Sequence, residues 1–335
     1  MADTRAGGLV RVALDAFGGD NAPDAVVEGA LAVADENIQV LLVGRAAELQ
    51  RRVPAATTHI EIVDAPDVIA SGDEPVKAVR ARPESSLVVA AKLVVAGRAD
   101  AFVSAGNTGA VVAAGLLHIR RMKGVIRPAI CAIMPALPSP VVFLDAGANA
   151  EVRSEHLRQF AIMGQAYARE VLHIEAPTVG LLSIGEEPTK GTAAVIEANA
   201  VLAADPAIDF KGNVEGRDLM NRTVDVVVTD GFTGNVALKV LEGAAKAMFK
   251  MMRAATDGSP RAQIGGLLMR PALRGLRATL DPEEYGGTYL LGLNGVVIIA
   301  HGDSQARGVA NAVRTGARGV RSGLLQTIAA RIAAS

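Results

Sequence analysis

The chain has 335 residues and a formal net charge of −1, from 34 Lys and Arg against 35 Asp and Glu. Half of the residues are hydrophobic but only 3% are aromatic, so the core must be built from Ala, Val, Leu and Ile. The balanced charge excludes a general polycation, and the shortage of aromatic side chains argues against single-strand nucleic-acid binding, which uses base stacking. We therefore expect no nucleic-acid partner.

Cysteine content and hydropathy restrict the compartment. The single cysteine, Cys131, excludes an internal disulfide and any multi-cysteine metal site, as is typical of a reducing cytosol. Residues 1–8 lack the apolar stretch of a secretory signal, and the longest uncharged stretches are interrupted by Gly, Asn or Pro. We expect a cytoplasmic protein whose membrane contact, if any, is confined to its surface.

Short apolar runs rich in β-branched residues alternate along the chain with helical patterns. The predicted strands are 9–15, 39–43, 60–63, 101–104, 141–145, 179–184, 225–229 and 295–300. The predicted helices are 23–34, 85–96, 154–171, 190–202, 232–255 and 304–316. Because parallel strands need helical crossovers, this alternation predicts an α/β fold with a largely parallel sheet. No repeat or low-complexity linker divides the chain, and we expect one catalytic domain over 1–335.

Many predicted strands are followed by clusters of Gly, Asn, Ser or acidic residues. The clusters are 15–20, 104–109, 145–149, 183–191, 230–235 and 301–304. Ligands of open α/β sheets lie beyond the carboxyl ends of the strands, so the six loops are expected to converge on one crevice. Gly and Asn also make tight turns without a ligand, and this alternative stays open for each loop taken alone.

Two of these loops place small residues and a hydroxyl directly before a helix. Backbone N–H groups and the helix dipole favour a phosphate there. The predicted binding residues are Ser104, Gly106, Asn107, Thr108, Gly231, Thr233 and Gly234. Asn107 and Asn235 would add amide donors, whereas helix capping is an equally good interpretation of Thr108 and Thr233.

The 183–191 loop joins two acids to a lysine at a strand-to-helix turn. Lys190 is expected to neutralise a small anion while Glu186 or Glu187 orients it, and a solvated ion pair is the alternative. The loop lacks P-loop spacing, and no Gly-x-Gly-x-x-Gly occurs in the chain. These absences disfavour ATP and dinucleotides, and we expect no cofactor.

His301 differs from the other four histidines because it ends an apolar run and opens a turn of small residues. That position suits a proton shuttle or a hydrogen bond to an oxyanion. The remaining histidines are expected in surface or packing roles, and their spacing supports no zinc site. Cys131 is interpreted as buried strand filler, so we expect neither a bound metal nor a cysteine nucleophile.

Residues 246–277 combine cationic and apolar side chains. Seven basic residues face one acid, Asp257, and they are Lys246, Lys250, Arg253, Arg261, Arg270, Arg274 and Arg277. Mixed with Met and Leu, they suit an anionic membrane surface or an acidic protein partner. The alternative is an amphipathic helix pair packed at a dimer interface.

Nine motifs occur in order from about Val12 to Ala312, among them the clusters at 15–20, 104–109, 145–149 and 230–235 and the His301 turn. Together they resemble the bacterial phosphate acyltransferases of phospholipid synthesis. The resemblance implies transfer of a long-chain acyl group from acyl carrier protein to inorganic phosphate. It also implies a homodimer with a Rossmann-like fold, related to phosphotransacetylases and isopropylmalate dehydrogenases, that associates peripherally with the membrane.

The expected mechanism is direct attack of phosphate on a thioester, which needs no covalent Ser or Cys. The loops at 104–109 and 231–235 would hold phosphate together with Lys190, while Asn235 and His301 polarise the carbonyl or protonate the departing thiolate. The expected organisers of the glycine loops are Asp15, Asp20, Asp145, Asn149 and Asp230.

Three residues depart from the usual family pattern. Phe17 stands where Met is usual, Ser183 where Asn is common, and Asp303 where a small residue is common. These departures concern fine specificity rather than activity. Two other functions stay open, namely a short-chain phosphotransacetylase acting on acyl-CoA and a membrane-bound scaffold for lipid enzymes.

Overall fold

The computed structural model describes residues 8–33, 36–280 and 282–335. Within these residues the strands form a single eleven-stranded sheet. The strands are β1 (Val10–Asp15), β2 (Ile38–Gly44), β3 (Ile60–Asp64), β4 (Ala101–Ser104), β5 (Ala129–Met134), β6 (Val141–Leu144), β7 (Val179–Leu182), β8 (Phe210–Val214), β9 (Val226–Val228), β10 (Thr288–Leu291) and β11 (Val296–Ile299).

Helices cover both faces of this sheet. They are α1 (Asp24–Leu31), α2 (Ala46–Leu49), α3 (Pro75–Ala81), α4 (Ser86–Val95), α5 (Thr108–Ala114), α6 (Ser154–Glu170), α7 (Ala193–Ala204), α8 (Gly231–Asp257), α9 (Pro260–Leu280), α10 (Pro282–Tyr285), α11 (Ala306–Arg321) and α12 (Leu324–Ala333). A π-helical turn over Gly115–Ile119 follows α5, and a 3-10 turn spans Gly216–Met220. No helix in the described part of the chain is long and apolar enough to cross a membrane.

The strand order is β3-β2-β1-β4-β11-β10-β5-β6-β9-β7-β8. Neighbours are parallel except where β10 meets β11 and β5, and where β5 meets β6. As a result, β6, β9, β7 and β8 run opposite to β1, β2, β3, β4 and β11. The carboxyl ends of the two groups therefore point in opposite directions.

Alternating strand residues divide the core between the two faces. On β1, Val12 and Leu14 pack in the layer that includes α1, α6, α11 and α12, whereas Ala13 packs in the layer that includes α4 and α5. Leu238 and Leu241 of α8 are only partly buried against the second layer. This incomplete cover leaves room between α8 and the sheet.

The predicted α/β class with a mostly parallel sheet is confirmed, and each predicted strand is present with ends shifted by up to two residues. The predicted strand ranges did not include β5, β8 and β10, although Cys131 was interpreted as part of a buried strand, which is β5. The first and last are short buried runs, whose periodicity does not distinguish a strand from a core segment. In β8, the sequence Phe-Lys-Gly-Asn-Val has weak strand propensity, and the strand forms by pairing with β7 at the sheet edge.

Candidate active site

A cavity of about 240 Å³ lies between α8 and the central strands β5, β10 and β11. Much of its wall is apolar, including Ile130 and Ala132 of β5, Ile299 of β11, and Leu238 and Leu241 of α8. Polar side chains line it as well, namely Thr108, Asn235, Lys239, Glu242, Glu283, Tyr285, Thr288, His301 and Ser304. An apolar chain and a charged reacting group can thus occupy adjacent parts of one space.

The His301 end of this cavity carries a group of four charged side chains. His301 Nε2 lies 3.3 Å from Lys239 Nζ and 3.7 Å from Glu242 Oε2. Lys239 Nζ in turn donates a 2.8 Å hydrogen bond to Glu242 Oε2. On the other side of the ring, Nδ1 lies 2.6 Å from Asp303 Oδ1. We call these four residues the His301 cluster.

The charged groups of the His301 cluster shift the pKa values of His301 and Glu242. The Glu242 carboxylate raises the pKa of His301 above its ordinary value, burial opposes this, Asp303 raises the pKa further and Lys239 lowers it. Burial alone would raise the pKa of Glu242, but His301 and Lys239 together lower it to about 2. Glu242 is therefore a carboxylate at neutral pH, and the imidazolium form of His301 is favoured beside it.

Asn235 lies on the same face of α8, one turn before Lys239, and lines the cavity on the side of the 145–149 loop. Its Nδ2 donates a 3.4 Å hydrogen bond to the carbonyl of Ala146. Gly147 takes a positive φ of 134°, and a Cβ at that position would lie 3.0 Å from Asn235 Nδ2. The loop therefore needs glycine next to this amide.

Asp145 organises the 145–149 loop from a fully buried position. Its Oδ1 accepts hydrogen bonds from the amides of Ile130, Gly147 and Ala148, and its Oδ2 accepts from the amide and side chain of Asn149. Burial raises the pKa of Asp145, and these hydrogen bonds oppose the rise. The carbonyl of Asn149 accepts from the amide of Gly231, which ties this loop to the start of α8.

A second buried carboxylate, Asp15, joins the loops at the other group of strand ends. Ser104 Oγ donates a 2.7 Å hydrogen bond to Asp15 Oδ2 and accepts one from the Gly106 amide. Burial raises the pKa of Asp15, and hydrogen bonds from Ser86, Ser104 and the backbone lower it. The amide of Asp20 donates 2.8 Å to the carbonyl of Gly302, so these loops also hold the His301 turn.

Several predicted phosphate donors already bond within their own loops. The amide of Gly231 donates to Asn149, while the amide and hydroxyl of Thr233 donate to Asp230. The amide of Gly234 donates to the Asp230 carbonyl. Asp230 is thus the cap of α8, and Thr233 takes the capping interaction that was the alternative to phosphate binding.

The 104–109 loop presents a different picture. Asn107 caps α5 by accepting from the Ala110 amide, and its Nδ2 donates to the carbonyl of Ser71 at 2.8 Å. Thr108 is the first residue of α5 and lines the cavity. The first amides of a helix have no acceptor within the helix, so the amides of Thr108 and Gly109 are not bonded within α5.

The 183–191 loop is not part of the cavity wall. The backbone carbonyl of Lys190 accepts from Ser183 Oγ at 3.0 Å, and the carbonyl of Glu187 accepts from Asn213. Glu186 forms an exposed 3.1 Å ion pair with Arg217. This loop follows β7, which pairs with β9, so it is next to the 230–235 loop in the sheet order without contributing to the cavity.

The basic segment 246–277 spans the end of α8 and most of α9. Five of the basic side chains are exposed, namely Lys246, Lys250, Arg253, Arg261 and Arg270, and those of Arg274 and Arg277 are not described by the structure. Large apolar side chains are exposed beside them, namely Met248, Met251, Ile264, Leu267, Leu268 and Met269. Leu268 is 76% exposed, so the described residues leave this apolar surface uncovered.

Sequence analysis missed Lys239 and Glu242, although a helical signal for them was present. They follow Asn235 at spacings of four and seven residues, which place all three on one face of a helix. The apolar residues Leu238, Leu241 and Ala245 share the cavity-facing side. Tyr285 and Thr288 were not named as site residues either, although both stand in Tyr-Gly-Gly-x-x-Leu-Leu-Gly at 285–292, one of the nine motifs.

A solved structure shares the fold of this chain at low sequence identity. A phosphotransacetylase from Streptococcus pyogenes matches with a TM-score of 0.65 and 17% identity, covering 95% of this chain and 96% of that chain. The similarity shows the fold: the chain has the α/β architecture of the phosphotransacetylases.

Sequence relatives show the family. A profile described as "Fatty acid synthesis protein" matches residues 10–327. The phosphate acyltransferase of Heliobacterium modesticaldum is 47% identical over 95% of this chain and 96% of its own length. That of Thermobifida fusca is 48% identical over 90% of this chain and 85% of its own length. The chain therefore belongs to the phosphate acyltransferase family and is an acyltransferase, as its motifs predicted.

Proposed function

We propose that the protein transfers a long-chain acyl group from acyl carrier protein to inorganic phosphate, giving acyl phosphate for phospholipid synthesis. Membership of the phosphate acyltransferase family supports phosphate as the acceptor. The observation that carries the proposal is the cavity under α8, where an apolar wall adjoins the His301 cluster. A hydrocarbon tail and a thioester carbonyl need these two surroundings side by side.

In the proposed reaction, a phosphate oxygen attacks the thioester carbonyl carbon. The new C–O bond forms as the C–S bond breaks, and the sulfur leaves with the electron pair of that bond. His301 Nε2–H donates its proton to the departing sulfur, and the hydroxyl of hydrogen phosphate returns a proton to the ring. The products are acyl phosphate and a free thiol, so atoms and charge balance without a covalent enzyme intermediate.

The remaining site residues take supporting parts in this proposal. Asn235 polarises the carbonyl oxygen, which gains charge as phosphate attacks. Phosphate binds at the amino end of α5, near Ser104, Gly106, Asn107 and Thr108, with Lys190 as a cation that moves toward it. The start of α8 contributes through Gly231, Thr233 and Gly234, whose inward hydrogen bonds fix the position of Asn235.

The loops behind these residues hold the reacting groups in place. The organisers are Asp15, Asp20, Asp145, Asn149 and Asp230. In the loop of Lys190, the Glu187 carbonyl accepts from the Lys190 amide at 3.0 Å, while Glu186 pairs with Arg217. Such preorganised donors and acceptors supply a large part of the rate enhancement of enzymes, because they do not reorganise during the reaction.

The basic segment 246–277 is proposed to dock acyl carrier protein or the anionic membrane surface. Cationic side chains of α8 and α9 would attract the acidic partner, namely Lys246, Lys250, Arg253, Arg270, Arg274 and Arg277. The exposed methionines and leucines would then add apolar contact. A homodimer that is cytoplasmic and peripherally membrane-associated completes the proposal, with 1–335 acting as one catalytic domain.

One assay separates the three candidate functions. Purified protein is given the same long acyl chain on acyl carrier protein or on coenzyme A, each with and without phosphate. The proposal predicts phosphate-dependent loss of the carrier-protein thioester, at a higher kcat/KM than for the coenzyme A thioester. Preference for a short-chain coenzyme A thioester would favour the phosphotransacetylase, and no reaction with either donor would favour the scaffold.

A further inference from the structure

His301 is held between two carboxylates that come from different elements. Asp303, two residues further along the same turn, lies 2.6 Å from Nδ1, and Glu242 of α8 lies 3.7 Å from Nε2. We propose that Glu242 and Asp303 are positioning residues that hold the His301 ring as an imidazolium, with Nε2–H available to the cavity. This inference rests on the proposed function, in which His301 protonates the departing thiolate.

The two distances give the carboxylates different tasks. Asp303 Oδ1, at 2.6 Å from Nδ1, is not aligned for a hydrogen bond with the ring, so it acts by attracting the positive charge from that side. At 3.7 Å, Glu242 Oε2 is beyond hydrogen-bond distance, so it attracts the positive ring without taking the Nε2 proton. That proton can therefore pass to a sulfur atom bound in the cavity.

Lys239 opposes the two carboxylates, and Glu242 offsets it. The Lys239 ammonium at 3.3 Å from Nε2 would by itself favour a neutral ring that accepts a hydrogen bond. The Lys239 ammonium also donates a 2.8 Å hydrogen bond to Glu242. This bond directs one N–H group of Lys239 away from the ring, and the Glu242 carboxylate balances the charge of the ammonium. Only 15% of the Glu242 side chain is exposed, so solvent weakens this interaction little.

The other charged groups near the ring are one cation, Lys246, and two carboxylates, Glu283 and Asp20. Lys246 of α8 lies 3.9 Å from Asp303 Oδ2, on the far side of that carboxylate. Glu283 of α10 lines the same cavity, and Asp20 approaches the neighbouring Gly302. Carboxylates thus outnumber ammonium groups around His301. Removal of either of the two nearest carboxylates, Glu242 or Asp303, should lower the pKa of His301.

The test is an NMR titration of His301 in the full-length protein with labelled histidine, assigned by comparison with His301→Gln. Wild type should titrate above about 6.5, the usual histidine value. We expect Glu242→Gln and Asp303→Asn each to lower the pKa of His301 by about 1, and Lys239→Gln to raise it. Glu61→Gln is the matched control. Glu61 lies on β3 and pairs with Arg98, so this change should leave the pKa of His301 unaltered.

A pH profile of thiol release supplies the kinetic readout. In Glu242→Gln the decline of kcat with rising pH should begin at a lower pH than in wild type. Unchanged His301 titration in both Glu242→Gln and Asp303→Asn would overturn the inference, whatever the activity. Absence of phosphate-dependent thiol release from wild type would instead reject the proposed function and leave the titration result standing.

Discussion

Gly234 packs so tightly against the backbone of Asp145 that a Cβ on it would lie 1.9 Å from the Asp145 carbonyl oxygen. This contact sets how closely α8 approaches the 145–149 loop, and hence where Asn235 lies over the cavity. The obstruction is backbone, which cannot turn aside as a flexible side chain would. Glycine at this position is a requirement of the site and not only of helix capping.

Gly234→Ala should therefore destabilise the protein by about 2 kcal/mol or more and lower its activity, because α8 must shift away from the loop. The control is Gly243→Ala on the same helix, where a Cβ meets nothing within 4 Å. That change should stabilise the helix by up to about 1 kcal/mol, since alanine is the better helix former. Urea denaturation of both variants checks this, and equal stability would contradict the tight contact.

Asp145→Ala should destabilise more strongly, since it leaves the buried amide of Ile130 and the buried amide and side chain of Asn149 without their acceptor. Each unsatisfied buried group costs about 1–3 kcal/mol, so a loss of several kcal/mol or failure to fold is expected. Asp209→Ala removes a carboxylate from an exposed ion pair with Lys211 and should change the free energy of unfolding by less than about 1 kcal/mol. A change of less than about 1 kcal/mol in the free energy of unfolding of Asp145→Ala would show that Asp145 does not organise the loop.

More of the fold than of the candidate site could be predicted from the sequence. The motif order gave the family, and the alternation of strands and helices gave the fold class, because both depend on local patterns. The strand order is a tertiary property, and it places β7 one strand further from the centre of the sheet than β9, so that the 183–191 loop lies away from the cavity. Likewise, the role of Glu242 depends on its contact with His301, which forms only when α8 packs across the sheet.

His301→Gln should lower kcat by about 10²–10⁴-fold with little change in the KM for either substrate, as expected for loss of a general acid. Because Glu242 raises the pKa of His301, the charged ring persists above the ordinary value, and activity should fall as pH rises through the raised pKa. Steady-state kinetics over a pH series measures both. Activity within a few-fold of wild type would reduce His301 to a turn residue.

Lys190→Ala should raise the KM for phosphate more than the KM for the acyl donor, because a cation facing a dianion contributes to its binding. Lys190 lies outside the cavity wall, so this result would also require its loop to move in the complex. Lys211→Ala, which removes an exposed lysine paired with Asp209, is the matched control. Unchanged phosphate kinetics would leave Lys239 as the cation nearest the reaction.

Charge reversal at Arg270 and Arg274 should impair binding to carrier protein or to anionic vesicles while leaving the cavity intact. Exposed charges act through a field screened over about 10 Å at 0.1 M salt, so the effect should weaken as salt rises. Carrier-protein affinity and vesicle sedimentation measure it. Wild-type values in both assays would defeat the docking role.

Leu268→Glu separates a docking surface from a dimer core. If Leu268 contacts the membrane, the variant should stay folded with its oligomeric state unchanged and release from vesicles. If the leucines and methionines instead pack between two copies, the variant should dissociate or unfold. Light scattering and vesicle sedimentation on the same sample distinguish the two outcomes.

The most direct test of the central claim follows the phosphate itself. Purified protein is incubated with long-chain acyl carrier protein and isotopically labelled phosphate, and both released thiol and labelled acyl phosphate are quantified. The account predicts one labelled acyl phosphate for each thiol released and no thiol release without phosphate, with both lost in His301→Gln. Thiol release accompanied by free fatty acid, or continuing without phosphate, would contradict it.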